Sequence, residues 1–264
     1  MQTSGIRLTI KIGKYGTLRA PRWYIQSDRS DPLGRAGITL PDPDRMLLRS
    51  INKGDFVEVT FGHRDREPGV WRGTVLSRGP GETKDQLEIR AVNGAKPLAT
   101  LWITQAWENE TAEAIVRWAV RQTKLPVGRI DATGMVLPHF VASTIPVWQV
   151  AQQAGHSCQE AFGLDMSAWD LWLGVNGVNW GNFDEPGAVP VIATGEALID
   201  HAPAEGPGAL SRVETFLLPD LMHSRRVRLR DNYRGIDGTF RALRVRHEGT
   251  PDRARTWIWY GTLG

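Results

Sequence analysis

His156-Ser157-Cys158 places an imidazole and a thiol two positions apart, the pairing from which a cysteine nucleophile could be built. Such a nucleophile needs an activating base and oxyanion donors around it. The surrounding QQAGHSCQEAF supplies neither, so an inert thiol is expected. Asp165 and Asp170 could form an acid–base pair, but they flank Trp169 in strand-like sequence and read as solvated carboxylates. His247-Glu248, in the phrase RVRHEG, reads as a hydrogen-bonded strand end rather than a ligand pair. His63, His139, His201 and His223 share no ligand spacing. SRGPGET, Ser77 to Thr83, is the nearest approach to a phosphate loop. It lacks the Gly-Lys-Ser/Thr ending and a following helix, and is expected to be a hairpin turn. No catalytic, cofactor-binding or metal-binding residue is assigned.

One charged pattern remains. Arg226, Arg228 and Arg230 alternate with Val227 and Leu229, and Arg244 and Arg246 follow on what reads as a neighbouring strand. Together they would form a basic stripe on one face of a curved sheet. Near aromatic rings, that is how an oligonucleotide-binding barrel grips a single strand. The other reading is a solvated or intersubunit face balanced by Asp231, Asp237 and Glu248.

The elements that would carry these residues are mostly strands. Ile6, Leu8, Ile10 and Ile12 alternate with polar residues. Trp23-Tyr24-Ile25, the run Phe56, Val57, Val59, Phe61, then Val70 to Leu76 and Leu87 to Ala91 follow with Gly and Pro punctuation. No helical periodicity is read in these first hundred residues. Two amphipathic helices come next. One has Thr111 as N-cap, an apolar stripe of Ile115, Val116, Ala119 and Val120, and Pro126 as a stop. The other has Thr144 as cap, Pro146 in the first turn, Val147, Val150, Ala151 and Ala154 on one face, and Gly155 closing it. Trp169, Trp172 and Trp180 lie in DMSAWDLWLGVNGVNWGNF, expected to fold as a hairpin with a type I′ turn at Asn176-Gly177. Ile192 to Ile199 reads as a strand and His201 to Ser211 as a loop. The segment from Leu217 onward reads as three more strands, the second running through Phe240, Leu243 and Val245, the last bearing Trp257 and Trp259 on one face. The fold class expected is mainly β with a small helical insertion. Two small barrel-like domains, 1–107 and 186–264, would flank a middle segment, 108–185.

Composition narrows the class. A chain of 264 residues buries roughly three quarters of its unfolded surface without staples. A single cysteine excludes an internal disulfide and any multi-thiolate metal site. The net charge of +3 is a mild bias rather than a nucleic-acid-coating tail. The first residues, MQTSGIRLTIKIGKYG, alternate as a strand does and lack the apolar run of a signal peptide, and no stretch is long and apolar enough to span a bilayer. Tryptophan is over-used, eleven against seven phenylalanines, which hints at subunit contacts.

Several phrases in order resemble the baseplate hub proteins at the tail tip of long-tailed bacteriophages, the trimeric family that includes late-control-D-like and Mu-type hubs. They are KGDFVEVTFG followed by VWRGTVLSR, QLEIRAVNGAKPLAT leading to TAEAIVRWAV, then STIPVWQVAQQAG, and finally LLPDL, VRLRD, GTFRALRVRHEG and TWIWYG. The resemblance spans residues 5 to 262. It implies a structural virion protein without enzymatic activity or cofactor, located in the tail tip and in host cytoplasm during assembly. It further implies a homotrimer whose paired barrel-like parts make a pseudo-sixfold ring. Its partners would be a hexameric tail tube or distal tail protein ring, a spike or fibre, and DNA passing through the lumen. Needle or lysozyme-like domains would belong to other chains, and the iron–sulfur cluster of some tail-tip proteins cannot be held by Cys158 alone. A single-stranded nucleic-acid-binding barrel and the hexameric distal tail protein are the alternatives.

Overall fold

The computed structural model describes residues 5–206 and 208–261. The chain opens with β1 (Ile6–Ile12), β2 (Tyr15–Thr17), β3 (Arg22–Asp28), β4 (Arg35–Pro41) and α1 (Met46–Ser50). Next come β5 (Phe56–His63), β6 (Gly69–Pro80) and β7 (Gln86–Asn93). The middle holds α2 (Lys96–Thr100), β8 (Trp102–Thr111), α3 (Ala112–Gln122), β9 (Val127–Ile130), β10 (Val136–Pro146), α4 (Val147–Phe162), β11 (Asp170–Gly174) and β12 (Gly177–Gly181). The last part supplies β13 (Val191–Ala193), β14 (Leu198–Ala202), β15 (Ser211–Phe216) and β16 (Arg226–Asp231). It ends with β17 (Ile236–Arg241), β18 (Arg244–Gly249) and β19 (Ala254–Tyr260). The fold is mainly β with a small helical part, as expected.

Two compact units form. One joins residues up to 28, 34–94 and 186–261, and the other joins 29–33 with 95–185. This groups the chain differently from the linear segments 1–107, 108–185 and 186–264. In the first unit both ends of the chain share one eleven-stranded sheet, in the order β14-β15-β19-β18-β3-β4-β7-β6-β5-β1-β2. The pairing of β18 with β3, Val245 opposite Ser27 and His247 opposite Ile25, is the seam where late strands meet early ones. Among the described residues no sheet closes into a barrel, and the long sheet keeps two open ends. The same unit holds a smaller sheet, β13-β16-β17.

Period-two alternation builds the cores of this unit. Ile10, Ile12, Trp23, Ile25, Ile38, Leu40, Val57, Val59, Phe61 and Ile89 form one buried cluster, and Val213, Val227, Leu229, Val245, Ile258 and Tyr260 belong to another.

In the second unit, α3 and α4 pack beside the two-stranded ribbon β8–β10 and the sheet β11-β12-β9. Thr111 caps α3 as expected, its hydroxyl accepting from the Ala114 N–H at 3.3 Å. Thr111→Ala should cost about 1 kcal/mol of stability in denaturant unfolding, the usual loss of one cap; an unchanged midpoint would deny the cap its role.

Several expectations are corrected. Helix α4 starts one residue after Pro146, takes no cap from Thr144, and runs through Gly155 to Gly163, whose φ of 68° suits a residue without Cβ. Gly155 is instead buried on the helix, with Met166 near where a Cβ would stand. The tryptophan hairpin forms, Gly174 opposite Gly177, but the turn is not type I′. Neither Val175 nor Asn176 has a positive φ, and only Gly177 does, at 126°. A Cβ there would also press on the Pro126 carbonyl, because β12 pairs in parallel with β9. Ile192–Ile199 divides into β13 and the start of β14. The loop after it spans 203–210, with Pro207 outside the described residues. The run from Phe240 to Val245 divides into β17 and β18, because Ala242 donates to Arg225 O at 2.8 Å and Leu243 to Trp259 O. The short helices α1 and α2, and the ribbon β8–β10, were not foreseen.

Candidate partner-facing surface

The arginines of the expected stripe fall into two sets on different sheets. Arg226, Arg228 and Arg230 lie on β16, whose neighbours are β13 and β17. Arg244 and Arg246 lie on β18, whose neighbours are β19 and β3. A single stripe on adjacent strands is therefore not formed. The alternation itself holds, since Val227 and Leu229 are buried beneath the first set.

Each set carries its own countercharges. Arg228 donates to Asp237 at 3.2 and 3.3 Å, and Arg230 lies 3.8 Å from the same carboxylate. Arg226 stands directly opposite Arg241 in the ladder. Arg244 reaches Asp28 at 2.5 Å, while Arg246 meets Glu248 at 3.0 Å and covers the Tyr24 ring at 4.3 Å.

Cross-strand registry organises the outward face of β15, β19, β18 and β3 into three rows. The first runs Arg212, Trp259, Arg244, Asp28; the second Glu214, Trp257, Arg246, Gln26; the third Phe216, Arg255, Glu248, Tyr24. Arg212 lies over Trp257 at 5.0 Å and Arg244 over Trp259 at 5.7 Å. Trp257 Nε1 donates to Glu248 at 3.0 Å, and Arg255 lies 3.5 Å from Glu214. Each exposed ion pair or ring stack contributes about 1 kcal/mol or less. Their collective effect is to order an amphipathic, nearly neutral surface. Sequence reading found the arginines and Trp257 with Trp259, but not Arg212, Arg255 and Tyr24. Only pairing across distant strands brings those three to the same face.

The groups weighed for catalysis are not assembled. Cys158 is buried within α4 while His156 is exposed on another side of it. Burial pushes the Cys158 thiol above its ordinary range, and the Glu113 carboxylate adds to that. Asp165 is exposed, and hydrogen bonds from Ser167 hold its carboxyl below the usual range. Asp170 instead faces Arg29 at 3.4 Å. Residues 77–83 carry the end of β6 and its turn toward β7. Among the described residues no three metal-capable side chains cluster, and no helix is long and apolar enough to cross a membrane.

Two buried polar networks are present, of which sequence reading foresaw only that His247 is hydrogen-bonded. His201 Nδ1 meets Asp231 at 2.7 Å and its Nε2 meets the Tyr260 hydroxyl at 2.9 Å. Burial alone would raise the Asp231 pKa, but hydrogen bonds from His201, Arg234 and the Tyr233 N–H outweigh it and hold the carboxyl low. Burial and the Asp231 charge raise that of Tyr260. His247 sits between Thr256 and the Leu221 carbonyl. Both histidines serve strand junctions, and neither opens onto a cleft.

No protein-family model matches the sequence, and no curated protein matches it. Solved structures match nearly end to end. The tail protein from Neisseria meningitidis MC58 is 13% identical with a TM-score of 0.67, covering 97% of this chain and 96% of its own. The 43 kDa tail protein of prophage MuSo2 from Shewanella oneidensis is 10% identical at 0.69, with the same coverage. The E. coli c3393 protein is 11% identical at 0.66, covering 97% of this chain and 77% of its own. It is described as a type VI secretion component with structural similarity to T4 tail proteins gp27 and gp5. The fold of this chain is that of these tail proteins.

Proposed function

We propose that the chain is a structural tail protein, a baseplate hub acting as a homotrimer that joins a hexameric tail tube or distal tail ring to a threefold spike or fibre. The observation that carries this reading is the end-to-end fold likeness to tail proteins. In this reading residues 1–107 and 186–264 supply the strands that match the tube, and 108–185 form a middle segment. The sharing of one sheet by early and late strands supports it. Mechanism here is geometric: rigid β surfaces present fixed rows of side chains to neighbours, and no cofactor or bond-making step is involved.

Arg226, Arg228, Arg230, Arg244 and Arg246 become protein-facing contacts. Arg228, Arg230, Arg244 and Arg246 already lie against carboxylates, so they would release few counterions to a nucleic acid. That disfavours the single-strand-binding barrel, although DNA passing a nearly neutral wall remains compatible. The place of action is the virion tail tip, reached after assembly in host cytoplasm. Light scattering coupled to size exclusion tests the reading. The expected mass is three chains; a hexamer would assign the distal ring instead, and a monomer in the presence of tail partners would remove the hub.

A further inference from the structure

We infer that the two open ends of the eleven-stranded sheet pair with each other between copies, β14 of one chain lying against β1 of the next. This rests on the oligomeric reading above and names the surfaces that would make it.

The first observation is an incomplete edge. β2 pairs only with Ile10 to Ile12, so Ile6 to Thr9 pair with β5 on one side and with no strand among the described residues on the other. Burial follows the same break: Ile10 and Ile12 are 1% and 2% exposed, whereas Ile6 and Leu8 on the same face stay half-buried. Beside this edge runs a groove of about 740 Å3 lined by Leu18, Ala20, Trp23 and Pro251. Leu18 on its margin is 72% exposed. An edge that no described strand covers, beside a half-covered apolar row, has the form of a site for an added strand.

The second observation is direction. Every pairing in the long sheet is antiparallel. β14 and β1 are separated by nine such pairings, so they run in opposite senses, and β14 runs in the same sense as β2. A rotation about an axis along the strands preserves sense. It therefore brings β14 of one copy antiparallel to β1 of the next, in the row that β2 begins. A contact between two different surfaces of the same chain closes into a ring when the rotation permits.

The third observation is charge. The groove at β1 is rimmed by Arg7, Arg19 and Arg64 against Asp252. The β14 edge carries exposed Glu196 and Asp200, with Arg212 near Asp200. Ile199, set out by an irregularity in the β14–β15 pairing and 41% exposed, supplies an apolar residue for the groove. Opposite rims favour the head-to-tail pair over either edge meeting its own kind.

The test uses the full chain, with buried Cys158 left in place. Thr9→Cys or Arg7→Cys is combined with Asp200→Cys, oxidised, and run on a denaturing gel without reductant. The expected result is a ladder of covalent multimers that neither single variant gives. Separately, Arg7→Glu with Arg19→Glu should weaken self-association by roughly tenfold, equivalent to about 1.4 kcal/mol. Adding Glu196→Arg and Asp200→Arg should restore it. An oligomer of unchanged mass that shows neither crosslink nor charge effect overturns the edge pairing and leaves the hub reading standing. A chain that is monomeric throughout overturns both.

Discussion

Replacing Arg29 by methionine will destabilise the second unit by about 3–5 kcal/mol, the range for breaking a buried charged network by removing one partner. Arg29 is 1% exposed. Its guanidinium donates to Gly181 O at 2.7 Å, Phe183 O at 3.1 Å and Ala168 O at 3.3 Å, pairs with Asp170 at 3.4 Å and lies 4.1 Å from the Trp172 ring centroid. Methionine fills much of the volume but leaves three carbonyls and one carboxylate without their donor. Trp172 and Asn179 both donate to buried Glu185 at 2.7 Å in the same hairpin, so the damage should spread through residues 168–185. Denaturant unfolding measures the loss, and hydrogen exchange across the hairpin locates it. Combining Arg29→Met with Asp170→Asn should recover part of it, because the charge that Arg29 balances is then removed as well. A loss under about 1 kcal/mol, typical of an exposed pair, would contradict this role.

The second large effect is a loss of stability on acidification that His247 controls. Burial lowers its pKa from the ordinary 6.5 to about 4. The hydrogen bonds explain which form is held. Nε2 donates to Leu221 O at 2.9 Å, Thr256 Oγ1 donates to Nδ1 at 3.0 Å, and that hydroxyl in turn accepts the Leu218 N–H at 2.9 Å. Every member is satisfied only when the ring is neutral. A folded-state pKa below the unfolded value means the unfolded chain takes up the proton first. This group's stabilisation is therefore complete above pH 6.5 and lost progressively as pH falls toward 4. The shift of about 2.5 units corresponds to roughly 3 kcal/mol at most. Unfolding free energy measured from pH 7 to 4 should fall more steeply in the natural chain than in His247→Asn, which starts less stable but cannot titrate. Parallel slopes would show that the ring is accessible to protons without cost.

Local regularity explains what the sequence revealed. Alternation in Ile6–Ile12, Phe56–Phe61 and Val227–Leu229 reports a strand with one wet face, and Thr111 ahead of an apolar stripe reports a helix start. Those signals lie within a few residues of each other. The ribbon β8–β10 depends on partners 25 to 44 residues apart, and β8 is exposed at most positions, so its periodicity is weak. Arg29 looked like one more charge in a loop, because its acceptors lie some 140–150 residues away in sequence. The arginine stripe was legible as residues but not as a surface: a two-residue break at Ala242-Leu243 sends β18 to a different sheet from β16. Gly155 read as a helix stop because glycine ends helices often, whereas here it lies buried on α4, near Met166.

Electron microscopy of the purified oligomer, averaged without imposed symmetry, tests the central claim most directly. The account predicts a ring of three chains with threefold rotational symmetry, its wall built from eleven-stranded sheets. A sixfold ring of single chains, or isolated particles of one chain's mass, would contradict it.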